Sequence, residues 1–343
     1  PLLAIFFKSL GKFLPDTFQY FGMWGILCFG LQGAFGALLI RHYKKDEVTA
    51  IMGSLFFVIT PVMIYRMFMH TALGGQWLLL FAFWLGLERN HLSPVKKVVL
   101  WTFLGFLCGS IHLYFVPMCG LIMCAFLLEE LIQKKNLFLC LLSGAGYCAA
   151  VVTTVYLLGG FSHDHQLDAG GLGQFSFNLN GLINPQGWSR LLPDLPLYGD
   201  GAGEGLAFLG IGILILLVIE GISFVIFFVR NKTKENDGER SGSTQERYGN
   251  GIAYILIGVL SLVVSFSHQL ALGSRVIWEI PYPDKLISLW GMFRSSGRFI
   301  WPVVYALTLC AVVMWDRIYK KKRAAVIILG LLLMVQVWDS FPQ

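Results

Sequence analysis

Apolar and polar positions alternate along this chain in long blocks, without the short periods that are typical of soluble proteins. About 20 apolar residues are enough to cross the roughly 30 Å hydrocarbon core of a bilayer. At that depth a helix satisfies its own backbone hydrogen bonds, and the period-2 alternation of barrel strands is absent. The pattern therefore predicts an all-α, polytopic transmembrane helical bundle of about ten spans, at 17–40, 48–65, 72–87, 97–112, 115–132, 137–158, 206–229, 251–267, 299–315 and 324–338.

The segments between and before these spans differ in composition. Residues 1–16 are too short to cross and contain two lysines, which predicts an amphipathic helix in the membrane interface. The long connections 159–205 and 268–297 are rich in aromatic residues and proline, which predicts two structured extracytoplasmic loops. The polar, Gly- and Ser-rich stretch 230–250 predicts a disordered cytoplasmic linker. The predicted order is thus an interfacial helix, transmembrane helices 1–6 over 17–158, the first loop, helix 7 over 206–229, the linker, and helices 8–10 over 251–338.

Lysine and arginine concentrate in every second connection, which holds 18 of the 26 cations in total. Because these residues resist translocation, the basic connections are predicted to be cytoplasmic and the others to face outward. A composition of 56% apolar and 13% charged residues, with a mean hydropathy of +0.67, excludes a soluble domain. The net charge of +6 is scattered among short loops, so it does not indicate a nucleic-acid partner. We expect a multi-pass protein of the cell (inner) membrane.

The sequence FRSSGRF stands where the second long loop re-enters the membrane. Arg294 and Arg298 are four residues apart, so a helix would place them on one face, with Ser295 and Ser296 between them. Helix N-termini attract phosphate, and arginine binds phosphate oxygens bidentately. The segment therefore predicts a phosphate site, although both arginines would also suit anchoring to lipid headgroups.

Two other outward connections carry candidate binding residues. Arg66 and His70 are also four apart, with Gln76 nearby, and they either face a cavity or form a satisfied polar pair at a helix end. In the first long loop, Asn180 and Glu204 accompany tryptophan, a combination that suits the hydroxyls and C–H faces of a sugar. Glu204 alternatively favours the dipole of the helix that follows it.

Metal chemistry and intramembrane charge receive weaker support. No cofactor is certain, but a divalent cation is possible at His163, Asp164, His165 and Asp168, whose spacing matches no familiar ligand pattern. Glu220 is the one carboxylate deep in a predicted span, and it suits either a proton path or contact with cytoplasmic water.

The segments RMFMH…QW, NLNGLINP…LLP…EGLAFLG and FRSSGRFIWP resemble a bacterial membrane family catalogued as domain of unknown function 6311, over nearly the whole chain. The architecture of that family is similar to the GT-C glycosyltransferases, which transfer sugars from polyprenyl-phosphate carriers at the outer membrane face. The resemblance implies that Arg294 and Arg298 contact the lipid phosphate, while Arg66, His70, Gln76, Asn180 and Glu204 line the cavity where donor and acceptor meet.

The resemblance assigns no catalytic residue within this sequence. In GT-C enzymes the catalytic acid follows the first helix, so we expect it in a segment preceding Pro1. The expected partners are the lipid bilayer, a polyprenyl-phosphate-linked sugar and an unknown acceptor. Two alternatives stay open: a multi-pass transporter or lipid flippase, for which Glu220 is the best residue, and a non-catalytic envelope assembly protein.

Overall fold

A computed structural model describes residues 2–15, 17–161, 172–199, 201–235, 251–318 and 322–340. It is mostly helical, and a helix occupies each of the ten predicted apolar stretches, with boundaries shifted by a few residues. The helices are α1 (Leu2–Ser9), α2 (Phe21–Tyr43), α3 (Glu47–Val58), α4 (Pro61–Met69), α5 (Trp77–Glu88), α6 (Pro94–Ile111), α7 (Phe115–Ile132), α8 (Leu137–Leu157), α9 (Ile211–Glu235), α10 (Gly251–Phe266), α11 (Asp284–Gly291), α12 (Trp301–Ile318) and α13 (Lys322–Ser340).

The lengths of these helices decide how many of them qualify as membrane spans. Within the described residues, six apolar helical segments are long enough to cross a bilayer, and they belong to α2, α6, α7, α8, α12 and α13. Helices α3 and α4 qualify only as a pair bent by 48°. The apolar parts of α9 and α10 are shorter, and α5 has only 12 residues. The chain is a multi-pass membrane protein, its described part contains six or seven candidate spans, and the predicted ten are not confirmed.

Short polar caps begin several helices, as the sequence at those points favours. The Asp46 carboxylate accepts the Thr49 backbone N–H at 3.0 Å and starts α3. The Asn136 amide oxygen accepts two backbone N–H groups and starts α8. Such side chains replace the intrahelical partners that the first N–H groups of a helix lack. These caps therefore determine the residue at which each helix begins after a turn between helices.

Helix α5 forms the centre of the bundle, with ten of its twelve residues buried. Close packing around it depends on glycine. A Cβ added to Gly86 would lie 2.1 Å from the ring of Phe126, and one added to Gly105 would lie 2.5 Å from the Tyr147 carbonyl oxygen. These glycines let α5 approach α7, and α6 approach α8, as in other helix-packed membrane bundles. Because its neighbours cover it, α5 does not need the length of a lipid-facing span.

The protein is mostly helical as predicted, and the second long loop adds a short β-hairpin that the sequence pattern did not predict. Strands β1 (Gln269–Leu272) and β2 (Arg275–Glu279) pair antiparallel as a hairpin, and α11 follows them. Asn178 of the first loop donates to the Gly273 carbonyl oxygen at 2.8 Å and accepts its N–H at 3.0 Å. The described parts of the two loops therefore pack together at one end of the bundle. The distribution of lysine and arginine predicts that this end faces outward.

The predicted linker over 230–250 also needs correction at its start. Helix α9 continues to Glu235, so the first six residues of that stretch are helical. The remaining linker residues lie outside the described part of the chain. So do His163, Asp164, His165 and Asp168, the residues of the predicted cation site.

Candidate functional site

Three charged side chains from distant parts of the sequence converge at the predicted outer end. The Glu204 carboxylate oxygen Oε2 lies 2.9 Å from Nη1 of Arg66 and 2.5 Å from Nη2 of Arg298. Arg66 also donates from Nη2 to the backbone carbonyl oxygen of Glu204 at 2.6 Å. Because one carboxylate faces two guanidinium groups, the cluster carries one net positive charge.

Helix α4 places Arg66 in this cluster. The helix begins at Pro61, directly after the bend in the α3–α4 pair, and ends at Met69 on the predicted outer side. The Arg66 guanidinium is fully buried and lies 4.6 Å from the ring centroid of Tyr65 and 5.9 Å from that of Trp301. Aromatic faces attract a cation and exclude water from it, which strengthens its interaction with a nearby anion.

Arg298 lies on a 3₁₀ turn, Ser296–Ile300, that leads into α12. The Ser295 backbone N–H donates to the hydroxyl oxygen of Tyr114 at 2.9 Å, which fixes the start of the turn. The ring of Tyr114 lies 4.8 Å beneath the Arg298 guanidinium. One tyrosine at the α6–α7 connection therefore holds both the backbone before Arg298 and its side chain.

Two glycines bring Glu204 next to Arg298. A short 3₁₀ turn, Ala202–Gly205, carries Glu204. A Cβ added to Gly297 would lie 2.8 Å from the Cα of Gly205 and 2.8 Å from the Phe175 carbonyl oxygen. The Gly297 N–H donates to that same carbonyl oxygen at 2.9 Å. Any larger side chain at position 297 would separate the two segments.

Burial and the charges of the cluster together determine the charge states of Glu204 and of the neighbouring His112. Burial alone would raise the pKa of the Glu204 carboxyl, but the hydrogen bond from Arg298 and the charge of Arg66 outweigh it, and the pKa is lowered. Burial lowers the pKa of His112 to about 4, and the nearby Arg298 and His70 act in the same direction. At neutral pH Glu204 is therefore ionised within the cluster, and His112 near it is neutral.

The neutral His112 has a defined tautomer. Its Nδ1 accepts the backbone N–H of Tyr114 at 3.3 Å, so the ring proton resides on Nε2. The Nδ1 atom of His70 lies 3.5 Å from Nη1 of Arg66. Two imidazoles thus lie near the guanidinium pair, and His112 can donate a hydrogen bond without adding charge.

Unused hydrogen-bond donors point to a further anion. Among the described residues, Nε of Arg66 and Nε of Arg298 have no hydrogen-bond partner, although both atoms are buried. A buried, unpaired donor costs about 1–3 kcal/mol, and more if it is charged. Glu204 retains 25% side-chain exposure, so the cluster is accessible from solvent. The arrangement is suited to accepting an oxyanion.

The structure separates the two arginines of the FRSSGRF segment. Arg294 precedes the 3₁₀ turn, is exposed, and stacks 5.3 Å from the ring of Phe175. Arg298 is 7% exposed and pairs with Glu204. The prediction of a shared helical face is wrong, because no α-helix covers both residues. Only Arg298 belongs to the cluster.

The remaining predicted residues contact the protein itself. Ser295 and Ser296 are buried, and the Ser296 hydroxyl lies 3.4 Å from that of Ser176. Gln76 is fully buried, donates to the Val62 carbonyl oxygen at 3.4 Å and accepts from the Tyr305 hydroxyl. Asn180 donates to the Pro196 carbonyl oxygen at 2.9 Å within its own loop. These contacts hold the site's surroundings in place. Within the described residues, the side-chain hydrogen bonds of Gln76 and Asn180 go to Val62, Tyr305 and Pro196 and not to the charged cluster.

Sequence reasoning missed the residues that position the cluster. Tyr114, Trp301 and the Gly205–Gly297 contact carry no local signal, because each acts on a partner far away in sequence. The described residues also contain two buried ion pairs at the opposite, basic end of the bundle. Arg89 donates to Glu129 at 2.8 Å and Lys97 to Glu130 at 2.6 Å, joining α5, α6 and α7. No group of three or more metal-ligating side chains occurs in the described part of the chain.

Comparison with known proteins identifies the family of this chain. A family model described as domain of unknown function (DUF6311) matches residues 1–341 of the chain. No curated protein and no solved structure matches it. The likeness to GT-C glycosyltransferases is therefore untested and stays a prediction.

Proposed function

The chain belongs to the family described as domain of unknown function DUF6311, and we propose that it is an integral membrane glycosyltransferase using a polyprenyl-phosphate-linked sugar as donor. One observation carries the proposal: Arg66 and Arg298 converge on Glu204 and keep two buried Nε–H donors unpaired. The cluster lies where the described parts of the two long loops meet the helix ends. A phosphate at a lipid headgroup would reach it at that depth.

In the proposed reaction, an acceptor hydroxyl oxygen attacks the anomeric carbon of the sugar. The bond from that carbon to the phosphate oxygen breaks, the phosphate leaves with the electron pair, and the acceptor proton passes to a general base. Arg66 and Arg298 stabilise the negative charge that develops on the departing phosphate. The cluster's one net positive charge, with Glu204 included, suits a phosphate diester that gains one further negative charge as it leaves.

Glu204 holds the two guanidinium groups in place in this mechanism and does not act as the base. Its Oε2 atom already accepts hydrogen bonds from both arginines. Its lowered pKa also makes it a poor proton acceptor near neutral pH. His112 can donate a hydrogen bond from Nε2–H while it is neutral. Such a donor suits a sugar hydroxyl better than a charged phosphate oxygen.

A multi-pass transporter or lipid flippase is the second candidate, and Glu220 in α9 favours it. This carboxylate is 3% exposed, and among the described residues its Oε1 atom has no hydrogen-bond partner. Carboxylates buried at membrane depth commonly belong to ion or proton paths. A non-catalytic envelope assembly protein is the remaining alternative, and it requires none of these groups.

The two arginines of FRSSGRF provide a matched test of the proposal. Purified protein in proteoliposomes is given radiolabelled polyprenyl-phosphate sugars together with an envelope extract as acceptor. We expect Arg298→Ala to reduce transfer by about 10²–10³-fold, the loss typical of a missing oxyanion contact. Arg294→Ala removes the same charge from an exposed position and should retain transfer.

The outcomes separate the candidates. Equal transfer by both variants and the unchanged protein would remove Arg298 from the mechanism. Uptake or flipping of the labelled lipid without sugar transfer, abolished by Glu220→Gln, would favour the transporter. If neither activity occurs and both arginine variants are merely less stable, the assembly role is favoured.

A further inference from the structure

Helix α1 lies against the predicted outer end of α2 and buries none of its side chains. Leu2 and Leu3 pack on the bundle, whereas Ile5 and Phe6 are 54% and 56% exposed. Phe13, in the 3₁₀ turn that follows, is 85% exposed. So much apolar surface on a short helix is characteristic of an element in the membrane interface. Its surroundings are therefore lipid headgroups and the upper part of the acyl chains.

Two cavities adjoin at this helix. The first, of about 360 Å³, lies between α1 and α2 and is lined by Leu3, Phe7, Met23, Ile26 and Leu27. It is apolar throughout, and its length along α2 covers more than one helical turn.

The second cavity, of about 340 Å³, begins at the other side of Phe7, which lines both. It includes Lys8 and Gly11 and ends against Pro15, Phe18 and Tyr20. Phe7 therefore lines both an apolar groove and a neighbouring space that is also lined by a lysine. This sequence of surfaces matches an amphiphile with an apolar chain and an anionic head.

The charged side chains of residues 2–15 are both positive. They are Lys8 and Lys12, and the nearest acidic residue in sequence is Asp16, which follows directly. Both lysines are exposed, and no ion pair involves either within the described residues. Lysines near a membrane surface attract anionic lipids by about 1 kcal/mol each.

We propose that this groove binds an anionic phospholipid, with one acyl chain between α1 and α2 and its phosphate beside Lys8 and Lys12. The bound lipid would hold α1 against the bundle. There Leu2 and Leu3 join Trp24, Thr71 and Ile111 around a further small cavity. Thr71 and Ile111 directly adjoin His70 and His112, so the lipid stabilises one wall beside the charged cluster. The inference does not depend on the proposed transferase activity.

Native mass spectrometry of the purified full chain tests the headgroup preference. The protein is titrated with phosphatidylglycerol or phosphatidylcholine of identical acyl chains, and bound lipid is counted. We expect tighter retention of phosphatidylglycerol, weakened about thirtyfold in Lys8→Ala/Lys12→Ala. The control, Lys45→Ala/Lys285→Ala, removes the same charge from two exposed positions outside α1 and should bind like the unchanged protein.

A second pair of variants tests where the acyl chain lies. Ile26→Trp fills the groove, and Ile255→Trp places the same ring on the exposed face of α10; the two side chains are 77% and 66% exposed. Only Ile26→Trp should release the retained lipid. Equal retention of both lipids by the unchanged protein, unchanged binding by the lysine variant, or unchanged binding by Ile26→Trp would each overturn the proposal. Size-exclusion profiles confirm that each variant is folded.

Discussion

The Glu204→Gln substitution removes the negative charge between two buried guanidinium groups while it preserves the side chain's shape. At an effective dielectric constant of 20, unit charges about 4 Å apart attract by about 4 kcal/mol. Glu204 makes two such contacts, at 2.9 and 2.5 Å, and it shields Arg66 and Arg298 from each other. Removing one partner of a buried ion pair typically costs about 3–5 kcal/mol. Because Glu204 is 25% exposed, we expect the lower end, about 3 kcal/mol.

Thermal unfolding in detergent measures this loss. The fully buried thiols of Cys28, Cys108 and Cys119 become reactive on unfolding, so a thiol-reactive dye reports the transition. For a chain of this size, about 3 kcal/mol corresponds to a fall in Tm of roughly 5 °C. The isosteric change leaves packing intact, so the loss is electrostatic in origin.

A double variant isolates the electrostatic cause. Arg66→Met removes one of the two cations that Glu204→Gln leaves uncompensated. If the pair interacts as the distances indicate, the double variant should be more stable than the sum of the single losses by about 1–3 kcal/mol. Additive losses, or an unchanged Tm in Glu204→Gln, would refute the reasoning.

The same pair has a defined pH dependence. The pKa of Glu204 is lowered from 4.5 in the folded protein, so its stabilisation is complete above about pH 4.5. The stabilisation is lost as the pH falls through the folded-state pKa, because the unfolded chain then binds a proton more readily. The Tm of the unchanged protein should fall more steeply below pH 4.5 than that of Glu204→Gln.

Two further predictions concern the groups around the cluster. His112 has a folded-state pKa of about 4 against 6.5; its neutral form is favoured on folding, so stability should decline by about 2–3 kcal/mol as the pH falls from 6.5 to 4, and His112→Gln should flatten the Tm profile in that window. Gly297→Ala would force a Cβ to within 2.8 Å of two backbone atoms, so we expect it to cost about 1–3 kcal/mol and to separate Glu204 from Arg298. Gly144→Ala in α8 meets no atom within 4 Å and should retain or raise the Tm; equal Tm values for these two glycine variants would contradict the close-contact argument.

The positions of the helices follow from local sequence. Long apolar blocks can satisfy their backbone hydrogen bonds in a membrane only as helices, so each predicted stretch is helical. The number of spans, in contrast, cannot be predicted from local sequence, because it depends on how the helices pack. Helix α5 is short because neighbouring helices cover it, and α4 begins after a bend at Pro61. The hairpin of β1 and β2 was not predicted either; its turn residue Gly273 exchanges hydrogen bonds with Asn178 of the other loop.

For the candidate site, the sequence identified the chemistry but not the grouping. Arg66, Arg298 and Glu204 each stood out because a charged side chain beside an apolar span is costly unless it is paired or functional. Their meeting joins residues 138 and 94 positions apart. Arg294 and Arg298 are equivalent by spacing, and only the structure distinguishes the exposed one from the buried one.

The sequence by itself determined the helical class, the membrane setting and the residue types able to bind an anion, because these follow from hydropathy and charge along short stretches. The tertiary structure alone decided which guanidinium groups share a carboxylate and which serines and amides bond only to the protein. The charged cluster forms because Gly205 approaches Gly297 closely and because the ring of Tyr114 lies beneath Arg298. Such contacts depend on how distant segments pack, and no local pattern encodes that.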